Sequence, residues 1–284
     1  MNKINRFKLI SSLCAIGIMS GILLLPARGV AQVTLSDGGS VATVNVGNSG
    51  VLGMNSWTVG GIAQSQLNQQ WFWYSLGDTA PQPINSIGTA SVTYNAPNDV
   101  TVTYANSTIT ATIEYTLSGN GPTSGSADMS ENISVVNNAA NSVNLSFYQY
   151  SNFNLLQNNN NTVSISGGPG AFTGAMQTAG GPGSTGIGEV IVAPDANHAE
   201  AAQVPQTLNE LGGSSYLTLN DSTSATGDVS WAFQWDATLA ANGGEFDLSK
   251  DKGLSVTIVP EPSSMALIAP GLAALGFVRR RQAA

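Results

Sequence analysis

Cysteine is all but missing from this 284-residue chain: Cys14 is the single one, and it lies in an apolar N-terminal stretch. No disulfide can form within the body, whose stability must come from core packing and sheet pairing. Positive charge is nearly as scarce. Nine residues are Lys or Arg; Lys3, Arg6, Lys8, Arg28, Arg279, Arg280 and Arg281 sit near the two ends, leaving Lys250 and Lys252 for the body. Against them stand all the acidic residues except Glu261, so the body charge is near −14. Phosphate binding needs clustered Lys and Arg, which excludes nucleic acid as a partner.

His198 is the only histidine. Zinc normally takes several His or Cys ligands, and a Ser-His-Asp relay would have to be built around this one ring, with Asp195 and Glu200 as the nearby carboxylates. The expectation is an ordinary loop histidine in a protein that is not an enzyme. Asp195–Asn197, Asn220-Asp221 and Asp247–Asp251 offer oxygens of the kind that hold calcium, yet none has the spacing of a helix-loop-helix calcium loop. A structural calcium ion is the one cofactor to consider, and no motif supports it.

Helical periodicity is also lacking, while period-two alternation recurs. Val100, Val102 and Tyr104 alternate with threonines, Asn106-Ser107 offers a turn, and Ile109, Ala111, Ile113, Tyr115 and Leu117 follow on one face. That pattern predicts a long β-hairpin. Val143, Leu145 and Phe147 alternate likewise, as do Val229, Trp231, Phe233 and Trp235. Further strands are expected at 41–46, 91–94, 132–136, 163–166, 188–192, 216–219 and 254–258. A short helix is expected at Pro205–Leu211, stopped by Gly212-Gly213. The stretch 167–188 is crowded with glycine and reads as a long loop. The expected fold is all-β: one large antiparallel β-sandwich with Gly/Asn-rich loops over residues 32–258. Two smaller sandwiches meeting near 167–188 are the second architecture.

Aromatic residues concentrate at Trp71-Phe72-Trp73-Tyr74. On a strand, Trp71 and Trp73 share one face and Phe72 and Tyr74 the other, as in a central strand packed on both sides. The functional alternative is a glycan-stacking platform of Trp71, Trp73 and Tyr74, which would make the body a carbohydrate-binding module or a glycan-active enzyme.

The two ends carry the sharpest signals. Lys3, Arg6 and Lys8 precede an apolar run, Leu9–Leu25, and Pro26 then breaks it. Small residues Gly29 and Ala31 flank Val30 before Gln32, so signal peptidase cleavage is expected between Ala31 and Gln32, removing residues 1–31. At the other end come Val259-Pro260-Glu261-Pro262, an apolar stretch at 263–278, and Arg279-Arg280-Arg281. Sixteen residues at ~1.5 Å each span roughly 24 Å, short of the ~30 Å hydrocarbon core, and the arginines can snorkel to make up the difference.

This order of motif, helix and basic stop, confined to residues 259–284, resembles the PEP-CTERM sorting signal of Gram-negative exported proteins. The resemblance implies recognition by an exosortase, a membrane processing enzyme, at Pro260-Glu261-Pro262. It also implies transient anchoring in the inner membrane, then a place at the cell surface or outside the cell, in a setting often linked to exopolysaccharide and biofilm. Val259–Pro262 would be substrate, not catalyst. The expected role is structural or adhesive, with extracellular polysaccharide as a further partner.

Overall fold

The computed structural model describes residues 31–180 and 185–257. The signal segment, the sorting motif Val259–Pro262, the span 263–278 and Arg279–Arg281 lie outside them, apart from Ala31. Among the described residues no helix is long and apolar enough to cross a membrane.

The strands are β1 (Gln32–Asp37), β2 (Ser40–Asn45), β3 (Gly53–Thr58), β4 (Leu67–Leu76), β5 (Gln82–Pro83) and β6 (Ser91–Ala96). There follow β7 (Asp99–Ala105), β8 (Ile109–Gly119), β9 (Ser126–Asn137), β10 (Val143–Phe153), β11 (Asn161–Gly168) and β12 (Ala171–Thr178). The last are β13 (Gly186–Ala193), β14 (His198–Gln203), β15 (Ser224–Gly227), β16 (Val229–Leu239) and β17 (Glu245–Ser255), with one α-helix, α1 (Gln206–Leu211), ahead of β15. They form two antiparallel sheets. One runs β1-β2-β3-β4-β10-β16-β14 with β5 beside β4; the other runs β15-β11-β12-β13-β17-β9-β8-β7-β6. Strands from either side of 167–188 sit together in each sheet, and a single apolar core joins the two.

Alternation explains the packing. On β8, Ile109, Ala111, Ile113, Tyr115 and Leu117 are buried, while the intervening threonines and Glu114 are half-exposed. The hairpin turn is closed by Asn106, whose Oδ1 accepts from the backbone N–H groups of Thr108 and Ile109. The core between the sheets is aromatic: Phe72 stacks on Phe147 at 5.5 Å, Phe153 stacks on Trp231 at 5.5 Å, and Phe147 meets Phe246 of the opposite sheet at 6.1 Å. Such pairs are worth ~0.5–1.5 kcal/mol each beyond the area they bury.

Two expectations fail for physical reasons. The glycine-rich stretch 167–188 is not one long loop: β12 and the start of β13 lie within it. Its glycines permit close backbone approach, since a Cβ on Gly174 would lie 2.2 Å from the Glu189 carbonyl oxygen. The segment Tyr216–Leu219 is not a strand. Side chains satisfy its backbone in place of a ladder: Tyr148 Oη donates to the Leu217 carbonyl at 2.7 Å, and the Leu219 N–H donates to Gln234 Oε1 at 2.9 Å. β14 escaped the sequence reading because its His-Ala-Glu-Ala-Ala-Gln run has little β propensity.

Candidate functional site: a buried ion cluster between the sheets

The two lysines of the body are both in the core. On β17 the inward positions are Phe246, Leu248, Lys250, Lys252 and Leu254, so alternation carries both ammonium groups inside. Glu131 takes an inward position on β9, between Met129 and Ile133; Glu189 does so on β13, between Ile187 and Ile191. The three strands are adjacent, in the order β13-β17-β9, and the register sets Glu189 opposite Lys252 and Glu131 opposite Lys250. The side chains of all four are fully buried.

The contacts interlock. Lys250 Nζ bonds Glu131 Oε2, and Lys252 Nζ donates to the same oxygen at 2.8 Å. Glu189 Oε1 lies 3.3 Å from Lys250 Nζ and 3.4 Å from Lys252 Nζ. Its other oxygen is fixed from the opposite sheet, by Gln149 Nε2 at 2.9 Å and Trp231 Nε1 at 2.8 Å. Phe72 closes the top, its ring centroid 5.1 Å from Lys250 Nζ. Two positive and two negative charges cancel within one dry compartment, the condition under which buried charge is tolerated.

Burial alone would raise the Glu189 carboxyl, but the Lys252 and Lys250 charges and the Gln149 and Trp231 donors outweigh it and hold it at about 2. Burial lowers Lys250 to about 8, aided by the neighbouring Lys252 charge and opposed by Glu131 and Glu189. Lys252 also suffers burial, but the two carboxylates overcome it and push its ammonium up.

Sequence reasoning missed this cluster, although the signal was present: four charged residues at inward positions of alternating strands. The residues it singled out lie elsewhere. Trp71 and Trp73 are buried, at 0% and 6% exposure, and Tyr74 is half-buried. Trp71 Nε1 donates to Asn85 Oδ1 at 3.3 Å, and Trp73 meets Tyr150 edge-on at 6.2 Å. Protein side chains surround both indoles, so neither offers a face to a glycan at the surface. Gln32 opens β1, and the Ala31 carbonyl accepts from the N–H groups of Val46 and Gly47.

His198 opens β14, its Nδ1 3.1 Å from Asp221 Oδ1 and its Nε2 3.9 Å from Asp236 Oδ2. Ser146 Oγ donates to Asp236 Oδ1 at 2.6 Å. Hydroxyl and imidazole thus share a carboxylate rather than facing each other, which is not the order a serine nucleophile requires. Neither Asp195 nor Glu200 joins the ring; Asp195 is exposed, and Glu200 is buried against Thr207, whose Oγ1 donates to it at 2.8 Å. Among the described residues no three His, Cys, Asp or Glu groups gather to hold a metal ion.

No curated protein matches the chain. Among solved structures, it is similar to a bacterial glucoamylase complexed with acarbose, at 10% identity and a TM-score of 0.49, over 76% of this chain and 30% of that one. It is also similar to a putative aldose 1-epimerase from Escherichia coli K12, at 10% identity and 0.49, over 80% of this chain and 100% of that one. A galactose mutarotase-like protein from Lactobacillus casei gives 10% and 0.47, over 78% and 99%. The chain thus spans less than a third of the glucoamylase. The family model of the PEP-CTERM protein-sorting motif matches residues 259–282, and the C-terminal end of this chain carries that sorting signal.

Proposed function

We propose that the body, residues 32–258, is a non-enzymatic structural or adhesive protein of the cell surface or extracellular matrix, delivered through its C-terminal signal. The observation that carries this reading is the sorting motif at 259–282. An exosortase cuts at or near Pro260-Glu261-Pro262, the apolar segment stays in the inner membrane, and the β body leaves. The test is the mass of the exported protein from cells with and without the processing enzyme. Loss of the residues after the motif, only when the enzyme is present, is expected. Mature extracellular protein that still carries Arg279–Arg281 would overturn the proposal.

A second reading, extracellular polysaccharide binding, has one observation in its favour. A polar trough of about 320 Å³ on the outer face of the first sheet is lined by Asp78, Asn144, Ser146, Tyr216, Asp236 and Thr238. Tyr216 is 39% exposed there, beside hydroxyl and carboxylate groups suited to sugar hydroxyls. Glycan-array binding that disappears in Tyr216→Ala supports it; no binding to any polysaccharide removes it.

A further inference from the structure

We propose that Lys250 and Glu131 condense to an intramolecular isopeptide bond, Nζ to Cδ, tying β17 to β9 inside the core. The inference stands apart from the sorting proposal and asks only about the chemistry of the folded body.

Four observations carry it. First, the reacting groups are already in contact: Lys250 and Glu131 are register partners on adjacent strands, and Nζ touches Glu131 Oε2. Holding an amine against a carboxyl in one geometry turns a bimolecular condensation into an intramolecular step. Second, both side chains are fully buried with Phe72 over the amine, so bulk solvent does not hydrate the reacting groups.

Third, the Glu131 carboxylate is lopsided. Oε2 accepts from both lysines, while Oε1 is buried with no hydrogen-bond partner among the described residues. An unmatched buried acceptor is costliest when it carries charge, and condensation turns this carboxylate oxygen into that of a neutral amide. Fourth, the other two charges have assisting positions. Lys252 Nζ, 2.8 Å from Oε2, is placed to donate a proton to the oxygen that leaves. Glu189, with Oε2 clamped by Gln149 and Trp231, holds Oε1 3.3 Å from the attacking nitrogen.

The step balances without a co-reactant. One proton passes from the Lys250 ammonium to Glu131 Oε2, which it touches, giving a neutral amine and a neutral acid. The amine lone pair attacks Cδ, and Glu189 takes a second proton from nitrogen. Lys252 donates a proton to Oε2 and recovers one from Glu189. The C–Oε2 bond then breaks and Oε2 leaves as water. Nζ keeps one proton, Oε1 becomes the amide carbonyl, and Lys252 and Glu189 remain as a pair of no net charge. The depressed Lys250 amine, at about 8, lowers the cost of the first transfer, while the raised Lys252 ends the step charged. In a body without cysteine, such a bond supplies the covalent closure that a disulfide would otherwise give.

Because Lys250 and Lys252 are the only lysines of the body, digestion reads the bond directly. The full-length product is denatured, digested with trypsin and chymotrypsin, and mapped by mass spectrometry. The expected result is a branched fragment joining the Glu131 peptide to the Lys250 peptide, one water lighter than their sum, with trypsin blocked at Lys250 and active at Lys252. Lys250→Met should restore the sequence mass, and Glu189→Gln should leave a larger unlinked fraction at equal time after synthesis. Separate, unmodified Glu131 and Lys250 peptides from the wild-type protein would overturn the proposal, whether or not the variants fold. A branch through Lys252 would overturn the assignment of Lys250.

Discussion

Trp231 of one sheet donates its indole N–H to Glu189 of the other at 2.8 Å. This bond, with its neighbour from Gln149, ties the aromatic core to the ion cluster and fixes which Glu189 oxygen faces the lysines.

Removing one charge from that compartment should be expensive. Lys252→Met leaves a surplus of buried carboxylate, and the expected loss is ~3–5 kcal/mol, read from urea denaturation. Pairing it with Glu189→Gln removes a charge of each sign and should recover a large part. A double variant no more stable than Lys252→Met would refute charge balance as the cause.

Acid should act through Glu189. Its carboxyl is held at about 2 in the fold against an ordinary 4.5, so the unfolded chain takes up a proton there first. The contribution, on the order of 3 kcal/mol, is fully present above that ordinary value and lost as pH falls toward about 2. Stability measured across this window should decline, and Glu189→Gln should flatten the decline.

Gly174→Ala tests the close approach of β12 to β13. The added Cβ would meet the Glu189 carbonyl oxygen at 2.2 Å, forcing the strands apart at a cost of ~1–3 kcal/mol. Gly168→Ala meets nothing within 4 Å and serves as the control. Thermal melts of the two variants should separate clearly.

Tyr148→Phe should loosen the strap at 216–219. Losing the 2.7 Å bond to the Leu217 carbonyl should cost roughly 0.5–1.5 kcal/mol. Amide exchange should quicken along 216–219 more than in β10.

Alanine at Pro260, Glu261 and Pro262 together should block processing at the sorting motif. The exported form is then expected to stay with the inner-membrane fraction, carrying Arg279–Arg281, as detected by fractionation and mass.

The strands were legible where one face is apolar and the other polar, as on β7 and β8, because period-two alternation is a local property. They were illegible where glycine serves close approach, as on β12, or where small residues lie on an edge strand, as on β14. Trp71 and Trp73 illustrate the limit for sites: the sequence favours core and leaves a stacking platform as the alternative, and burial is a tertiary fact.

By itself, the sequence determined the all-β class and the sorting signal at the C-terminus, since both are written in contiguous residues. It did not place Lys250, Lys252, Glu131 and Glu189 at inward positions, because charge at such positions is normally turned outward. Only the tertiary structure decided that they meet. Glu131 and Lys250 are 119 residues apart, and their contact depends on the order β13-β17-β9, which long-range pairing sets and no local pattern encodes.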